Sequence, residues 1–360
     1  MLETFSRQLA ASESLTDEQI CLAVEQLIEP GISVSVKAGF LALLATKGET
    51  VEEIASFVRA LRSKSIQPPI GSGWRQAHDI LDVCGTGGDR LNTFNISTTV
   101  ALICAAAGVP VAKHGNRAVT SQAGSADVLE ALGVPIDLTP EEAASSLRER
   151  NFAFFFAPNY HPAFKHITPV RKLCAERGQR TIFNVLGPLL NPARPTAQLV
   201  GVPRPELCEP LAKVLQSLGV RRGMVVCGSL SGRDTTIEKS NPVDQNGPAY
   251  LDELSILGEN TIAEFFQERA LTSSVTILDE SNTFSLADLR GGNRETNAQI
   301  VRGLLEGTDR GPRRNAILLN ASAALFVAGR TRTISTGREL AEAVLDNGEA
   351  FRKLAELIVK

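Results

Sequence analysis

The stretch that decides the fold runs from His78 to Gly108 and reads HDILDVCGTGGDRLNTFNISTTVALICAAAG. Its first residues, HDILDV, predict a buried strand, and TTVALICAAAG predicts a buried helix. Glycines and small hydroxyl and amide side chains fill the turn between them. Bare backbone can approach a ligand closely, and exposed N–H groups beside a helix N-terminus attract anions. The segment therefore predicts a phosphate cradle, and a glycine turn required by sterics alone is the alternative.

The composition is that of an ordinary globular protein. The chain has 360 residues, of which 43% are hydrophobic and 21% charged, enough for about two domains. Its 37 basic and 40 acidic side chains give a net charge of −3, so charge does not point to nucleic acid or to an anionic membrane. No apolar run is long enough to span a membrane, and no cationic segment precedes an apolar one at the N-terminus. We therefore expect a cytoplasmic protein whose six cysteines, which lack CxxC spacing, are mostly buried free thiols.

The first part of the chain is helical in pattern. The segments LTDEQICLAVEQLI, SVSVKAGFLALLATKG and TVEEIASFVRALRS place apolar residues three and four positions apart, which is typical of amphipathic helices. IQPPIGSG, residues 66–73, then breaks the pattern with proline and glycine. We expect a helical domain over residues 1–73, joined there to a second domain over residues 74–360.

The second domain alternates short apolar runs with helical stretches. Six runs read as strands: ILDVCG, VPVAKHG, FAFFFAP, AQLVGV, GMVVCG and NAILLN. Such alternation predicts an α/β domain with a central sheet covered by helices on both faces. TPEE at Thr139 and TGRE at Thr336 both predict capping boxes at helix starts. The polar segment from Ser229 to Tyr250 predicts an exposed loop.

A second polar loop follows the predicted strand VPV. The segment AKHGNRAVTSQAGS, residues 112–125, sets Lys113, His114, Asn116 and Arg117 around one glycine, and then supplies Thr120, Ser121 and Ser125. Fixed cations and neutral donors in one turn suit a ligand with several phosphates. The alternative is a solvated charged pair beside a packed imidazole. Ligands of α/β sheets bind at the C-terminal ends of strands, which favours the phosphate interpretation.

Two further stretches carry candidate ligand-binding side chains. Between residues 157 and 192, Arg171 follows Pro169, and we expect it to project from a first helical turn as a clamp for a carboxylate, with a plain surface arginine as the alternative. His161 and His166 in this stretch predict packing or hydrogen bonding rather than a metal site. In LDEL, Asp252 and Glu253 are adjacent carboxylates that we expect on an exposed loop, either as a polar helix start or as magnesium ligands beside a substrate phosphate.

These motifs, taken in order, resemble the anthranilate phosphoribosyltransferase family. GTGGD, TFNIST, AKHGNR, GSADVLEALGV, HPAFKHITPVRKLCAERGQRTIFNVLGPLLNP and LDEL carry the resemblance, which runs from about residue 15 to nearly the last residue. It implies transfer of the 5-phosphoribosyl group from phosphoribosyl diphosphate (PRPP) to the amine of anthranilate, with release of diphosphate, in tryptophan biosynthesis. It also implies a homodimer with a fold similar to pyrimidine nucleoside phosphorylases, in which residues 163–191 complete the helical domain.

The resemblance also assigns residues to each ligand. For PRPP it implies Gly85, Gly88, Asp89, Thr93, Asn95, Ile96, Ser97, Thr98, Lys113 and Ser125. For anthranilate it implies Gly85, Asn116 and Arg171. For two magnesium ions it implies Ser97, Asp252 and Glu253. Lys113 and the magnesium held by Asp252 and Glu253 would neutralise the negative charge that grows on the departing diphosphate, which makes Lys113, Asp252 and Glu253 the candidate catalytic residues.

The chain departs from the family pattern at three places, and two other functions remain alternatives. Arg90 stands where a glycine usually follows GTGGD, Cys227 replaces a usual histidine, and the segment from Gly228 to Asp252 is unusually long. A nucleoside phosphorylase of similar fold would also need a phosphate loop, although it would not need the carboxylate pair. A non-catalytic relative that binds nucleic acid would show salt-dependent binding to DNA.

Overall fold

The structure is a computed structural model that describes residues 1–118, 122–230, 249–276 and 284–358. Thr120, Ser121 and most of the predicted exposed loop, residues 231–248, lie outside the described residues. The helices are α1 Leu2–Ala10, α2 Asp17–Ile28, α3 Val34–Lys47, α4 Val51–Ser63, α5 Ser72–Ala77, α6 Ile96–Ala106, α7 Ser125–Ala131, α8 Pro140–Arg150, α9 Ala157–Tyr160, α10 Phe164–Glu176, α11 Phe183–Leu186, α12 Cys208–Ser217, α13 Arg294–Leu305, α14 Pro312–Val327, α15 Ile334–Asp346 and α16 Glu349–Ile358. Short 3₁₀ turns span Gly187–Leu190, Pro205–Leu207 and Leu286–Leu289.

One mixed sheet organises the larger part of the chain. Its strands are β1 Leu81–Gly85, β2 Val111–Gly115, β3 Phe152–Phe156, β4 Ala197–Gly201, β5 Arg222–Ser229, β6 Tyr250–Leu251, β7 Glu259–Phe266 and β8 Arg269–Thr276. The order is β3-β2-β1-β4-β5-β7-β8, with β6 also paired to β5. The first five strands are parallel, and β6, β7 and β8 join antiparallel. The C-terminal ends of β1, β2 and β4 therefore meet at one edge of the sheet.

Apolar cores cover both faces of this sheet. On one face α6, α13, α14, α15 and α16 pack around the fully buried Val100 and Leu325. On the other, α12 joins the N-terminal helices α1–α4, whose core includes Phe40 and Phe57. Helix α10 packs against α2 and α3, with Ile167 and Val170 buried among their side chains. Both the boundary at residue 73 and the completion of the helical domain by residues 163–191 stay predictions.

Local sequence signals predicted most, but not all, of the helix and strand starts correctly. Five of the six apolar runs form β1–β5, whereas NAILLN lies inside α14, so that prediction is wrong. A short apolar run has no periodicity that separates a strand from a fully buried helix. The capping box at Thr139 is present, but the one expected at Thr336 is misplaced: α15 begins two residues before Thr336, and Thr333 is its cap.

Candidate functional site

The ends of β1 and β4 form a narrow seat for the carboxylate pair. A Cβ placed on Gly85 would lie 2.2 Å from Oδ2 of Asp252, and one on Gly201 would lie 1.5 Å from the carbonyl oxygen of Asp252. Since any side chain at these two positions would displace Asp252, both strands must end in glycine. The sequence reasoning assigned Gly85 a role at the ligand but gave no role to Gly201.

The carboxylates converge on the glycine loop. Oδ2 of Asp252 accepts a hydrogen bond of 2.6 Å from the main-chain N–H of Gly87, and its carboxyl group also hydrogen-bonds to that of Asp89. Glu253 hydrogen-bonds to the main chain and the hydroxyl of Ser97. The predicted residues Gly85, Asp89, Ser97, Asp252 and Glu253 are therefore brought together in the folded chain.

Burial and mutual repulsion raise the pKa values of these carboxyl groups. Burial first, and then the neighbouring negative charges, raise the pKa of Asp252 well above its usual value and that of Glu253 to about 7. Burial likewise raises the pKa of Asp89. Glu253 is only 8% exposed, so the expectation of an exposed loop is wrong for it. Asp252 packs closely against Gly85 and Gly201, and this close packing buries the carboxylate pair. The contact joins segments that are distant in the chain, so the local sequence does not reveal it.

Lys113 provides a positive charge beside this acidic cluster. It lies on β2, is 1% exposed, and its Nζ donates to the carbonyl oxygen of Val83 at 2.8 Å and to Oγ of Ser97 at 3.4 Å. Its charge opposes the rise in the pKa of Glu253. Lys113 is thus held within the cluster and is not part of a solvated surface pair.

The two polar loops meet through side chains that the sequence had assigned to PRPP. Asn95, which precedes α6, donates to the carbonyl oxygen of Ala123 at 3.2 Å and accepts from Asn297 at 2.8 Å. Ser125 begins α7, where its Oγ would lie 2.2 Å from a Cβ on Gly115. Asn116 is exposed, while Arg117 is paired with Asp127 and Glu130 at 3.1 and 2.8 Å.

The glycine loop has an unusual backbone. Gly87, Gly88, Arg90 and Asn92 all have positive φ, at 75°, 92°, 58° and 53°. Arg90 therefore adopts the left-handed conformation that glycine favours, at the position where the family pattern has glycine. Gly88 is exposed, and Thr93 forms an isolated bridge with Arg290.

Two of the predicted PRPP residues bury their side chains in α6. Ile96 and Thr98 are 2% and 1% exposed and lie next to the half-buried Ser97. Any contact that they make with a ligand would therefore come from the main chain at the helix start.

Buried polar side chains hold the turn over residues 187–191. His114 bonds to the carbonyl oxygen of Gly187 at 3.3 Å, and Arg62 of α4 donates to that of Leu189 at 2.8 Å. His161 hydrogen-bonds to the main chain of Leu190 and to His114, with 3.2 Å between their Nε2 atoms. Burial lowers the pKa of His114 to about 3 and that of His161 to about 4, so both rings are neutral near pH 7.

The turn is also fixed from the sheet. Gln198 of β4 donates to the carbonyl oxygen of Pro188 at 3.1 Å. Asn191 at the end of the turn donates to Asp82 of β1 at 2.8 Å. Asp82 and Asn191 were missed by the sequence reasoning, although an aspartate inside the apolar run ILDVCG is a usable signal.

Arg171 lies in the middle of α10, and not in a first helical turn as expected. The helix begins at Phe164 and continues through Pro169. Arg171 is exposed, with its guanidinium carbon 6.0 Å from the centre of the Phe183 ring. Its assignment to the aromatic substrate stays a prediction.

The donor set suits magnesium held partly by water and substrate. Among the described residues, no group of three or more His, Cys, Asp or Glu side chains has the arrangement of a metal site. Mg²⁺ does not require one, because it commonly binds one or two carboxylates and completes its coordination with water and phosphate oxygens. Burial is the first cause of the raised pKa values of Asp252 and Glu253, and the negative charge of Asp89 adds to it in both; a bound divalent cation would relieve that repulsion.

Comparison with known proteins identifies the family of the chain. The family model for the a/b domain of the Glycosyl transferase family matches residues 77–351. The family model for the helical bundle domain of the Glycosyl transferase family matches residues 4–65. The anthranilate phosphoribosyltransferase of Petrotoga mobilis is 40% identical over 99% of this chain and 96% of its own length. The chain belongs to the anthranilate phosphoribosyltransferase family. The predicted family and fold class are thereby confirmed, and nothing favours the nucleoside phosphorylase or the nucleic-acid-binding relative.

Solved structures of anthranilate phosphoribosyltransferases share the fold. The enzyme of Thermus thermophilus superposes with a TM-score of 0.83 at 38% identity, covering 98% of both chains. The enzyme of Saccharomyces cerevisiae in complex with PRPP and Mg superposes with a TM-score of 0.79 at 24% identity, covering 99% of this chain and 96% of its own. In the part of this chain that the structure describes, no helix is both long and apolar enough to cross a membrane.

Proposed function

We propose that this chain transfers the 5-phosphoribosyl group of PRPP to the amine of anthranilate and releases diphosphate. The observation that carries the proposal is the seat formed by Gly85 and Gly201, which fixes Asp252 and Glu253 beside Lys113 at the start of α6. A buried lysine beside acidic groups that favour a divalent cation is suited to a polyanion bound with its metal. Kinship with named anthranilate phosphoribosyltransferases supports this choice of substrates.

The reaction is a displacement at the anomeric carbon, so the main task is to help diphosphate leave. Lys113 would place its ammonium group against phosphate oxygens whose negative charge grows as the bond breaks. Asp252, Glu253 and Ser97 would hold magnesium, which when bound supplies further positive charge at the diphosphate. The N–H group of Gly88 and the N-terminus of α6 would face the remaining anionic oxygens, because the N–H of Gly87 is already donated to Asp252.

The acceptor needs orientation more than activation. Anthranilate has a neutral amine near pH 7, so no base has to remove a proton before attack. Asn116 and Arg171 would hold its carboxylate and so fix the amine in line with the leaving diphosphate. His114 and His161 are neutral at that pH and add no charge beside it.

The direct test is loss of anthranilate fluorescence on mixing the protein with PRPP and Mg²⁺. We expect turnover that stops when Mg²⁺ is chelated and that is absent in the folded Asp252→Ala/Glu253→Ala double variant. Full activity in that variant would refute the metal assignment. Turnover of a nucleoside that depended on inorganic phosphate would instead support a phosphorylase.

Three finer expectations belong to the same proposal. We propose two magnesium ions per site, a homodimer and a cytoplasmic location. Their support is the resemblance in sequence, and sedimentation analysis together with metal titration would test the first two.

A further inference from the structure

Asp82 is a fully buried acid that the proposed mechanism does not use. It lies in the middle of β1 with 0% of its surface exposed, and its Oδ2 accepts a hydrogen bond of 2.8 Å from Nδ2 of Asn191. Asn191 is also fully buried, and the same amide nitrogen donates to the carbonyl oxygen of Ala112 at 2.7 Å. One amide therefore clamps Asp82 and links β1 to β2 immediately before Lys113.

Lys113 lies between two sources of negative charge. On the ligand side are Ser97, whose Oγ accepts a hydrogen bond from Lys113 Nζ at 3.4 Å, and Glu253, which lies beside Ser97. On the sheet side is Asp82, one residue before Val83, whose carbonyl oxygen accepts from Lys113 Nζ. Burial raises the pKa of Asp82 to about 6, opposed first by the charge of Lys113 and then by the Asn191 hydrogen bond, so the carboxylate is ionised above that pH.

The two sides differ once substrate is bound. Under the proposed function, Glu253 would bind magnesium, so its negative charge would interact less strongly with the ammonium group of Lys113. Asp82 is fully buried and its carboxylate is held by Asn191, so its charge would remain near Lys113 when metal and substrate bind. A buried ammonium group without a nearby fixed counter-charge would turn toward Glu253 and away from the phosphate oxygens.

We infer that Asp82, clamped by Asn191, is a positioning residue that keeps the Lys113 ammonium group aligned between Val83 and Ser97 for the phosphate oxygens of PRPP. This inference rests on the proposed function. In this inference Asp82 does not contact substrate and acts only through Lys113. Replacing it should therefore change the affinity for PRPP and leave the Michaelis constant for anthranilate unchanged.

The test compares Asp82→Asn with Asp79→Asn at pH 8. Asparagine at position 82 can still accept from Asn191 and loses only the charge. Asp79 precedes the same strand, is half exposed and pairs with Arg221 at 2.6 Å, so its variant removes one equal charge outside the site. Calorimetric titration with PRPP and Mg²⁺ should show PRPP binding weakened about tenfold or more in Asp82→Asn and unchanged in Asp79→Asn. The Michaelis constant for anthranilate should stay the same in both.

Four outcomes would overturn the inference. Equal PRPP affinity in wild type and Asp82→Asn would remove the role, and tighter binding in the variant would mean that Asp82 merely offsets positive potential. Wild-type protein that binds no PRPP would overturn this inference together with the proposed function. If Asp82→Asn does not fold, Asn191→Ser keeps the charge but frees the carboxylate, and we expect weaker PRPP binding there too. Unchanged PRPP affinity in a folded Asn191→Ser would then decide against the role.

Discussion

Replacing Glu253 by glutamine should stabilise the metal-free protein while it damages the site. Glu253 is buried beside Asp252 and Asp89, so its negative charge loses hydration and repels its neighbours. Glutamine has nearly the same shape and can still accept a hydrogen bond from Ser97, but it carries no charge. The substitution therefore removes a cost that only a bound cation would otherwise relieve.

The size and sign of the effect follow from the raised pKa. The pKa of Glu253 goes from 4.5 to about 7 on folding, and at about 1.4 kcal/mol per unit this amounts to about 3 kcal/mol. Between these two pH values the folded chain keeps a proton that the unfolded chain has lost. The stability that this proton represents is complete below pH 4.5 and is lost as the pH rises through about 7. We therefore expect Glu253→Gln to exceed wild type by up to about 3 kcal/mol at pH 8 and to match it near pH 4.

Urea unfolding in the presence of a chelator, followed by circular dichroism from pH 4 to pH 8, measures this difference directly. Glu259→Gln, the same chemical change at the exposed start of β7, is the matched control. Adding Mg²⁺ at pH 8 should stabilise wild type more than Glu253→Gln. A variant less stable than wild type at pH 8 without metal would refute the reasoning from burial and repulsion.

Three other perturbations test separate parts of the structure. Arg171→Ala should raise the Michaelis constant for anthranilate about ten- to a hundredfold and leave that for PRPP nearly unchanged, and equal losses in the two saturation curves would contradict its assignment. Joining Leu230 to Ala249 by a short turn should preserve a cooperative melting transition, because the N–H of Leu230 already bonds to the carbonyl oxygen of Ala249 at 2.9 Å. Gly201→Ala should abolish turnover by displacing the carboxylate pair, whereas Gly39→Ala, where no atom lies within 4 Å of a new Cβ, should not, and an active Gly201→Ala would show that the seat can widen.

The sequence predicted the parallel half of the sheet better than the antiparallel half. Strands β1–β5 are mostly apolar runs that end at glycines or polar loops, and such local signals identify buried strands. The β7–β8 hairpin was missed, because its turn at Gln267 and Glu268 has neither glycine nor asparagine, although Gln267 adopts a φ of 54°. Leu271 on β8 is apolar but 65% exposed, so apolar residue type does not indicate a buried face on this strand.

The site was predictable where one motif carried the information. The glycine loop and Lys113 could be recognised from residue type and spacing alone. The depth of Glu253 could not, because it depends on the close approach of Gly85 and Gly201, two glycines far apart in the chain. The location of Arg171 within α10 was missed because Pro169 suggests a helix start, whereas the helix passes through it.

The turn over residues 187–191 has a consequence for how the chain folds. Two of its acceptors are satisfied by Arg62 and His114, which are 127 and 73 residues distant from their partners in sequence, whereas Gln198 is only 10 residues from Pro188. Closing the two longer loops costs conformational entropy before any contact forms, so the turn is not fully stabilised until α4 and β2 have docked. We therefore expect the turn to become protected from hydrogen exchange late in refolding, after the parallel strands around β1 have assembled.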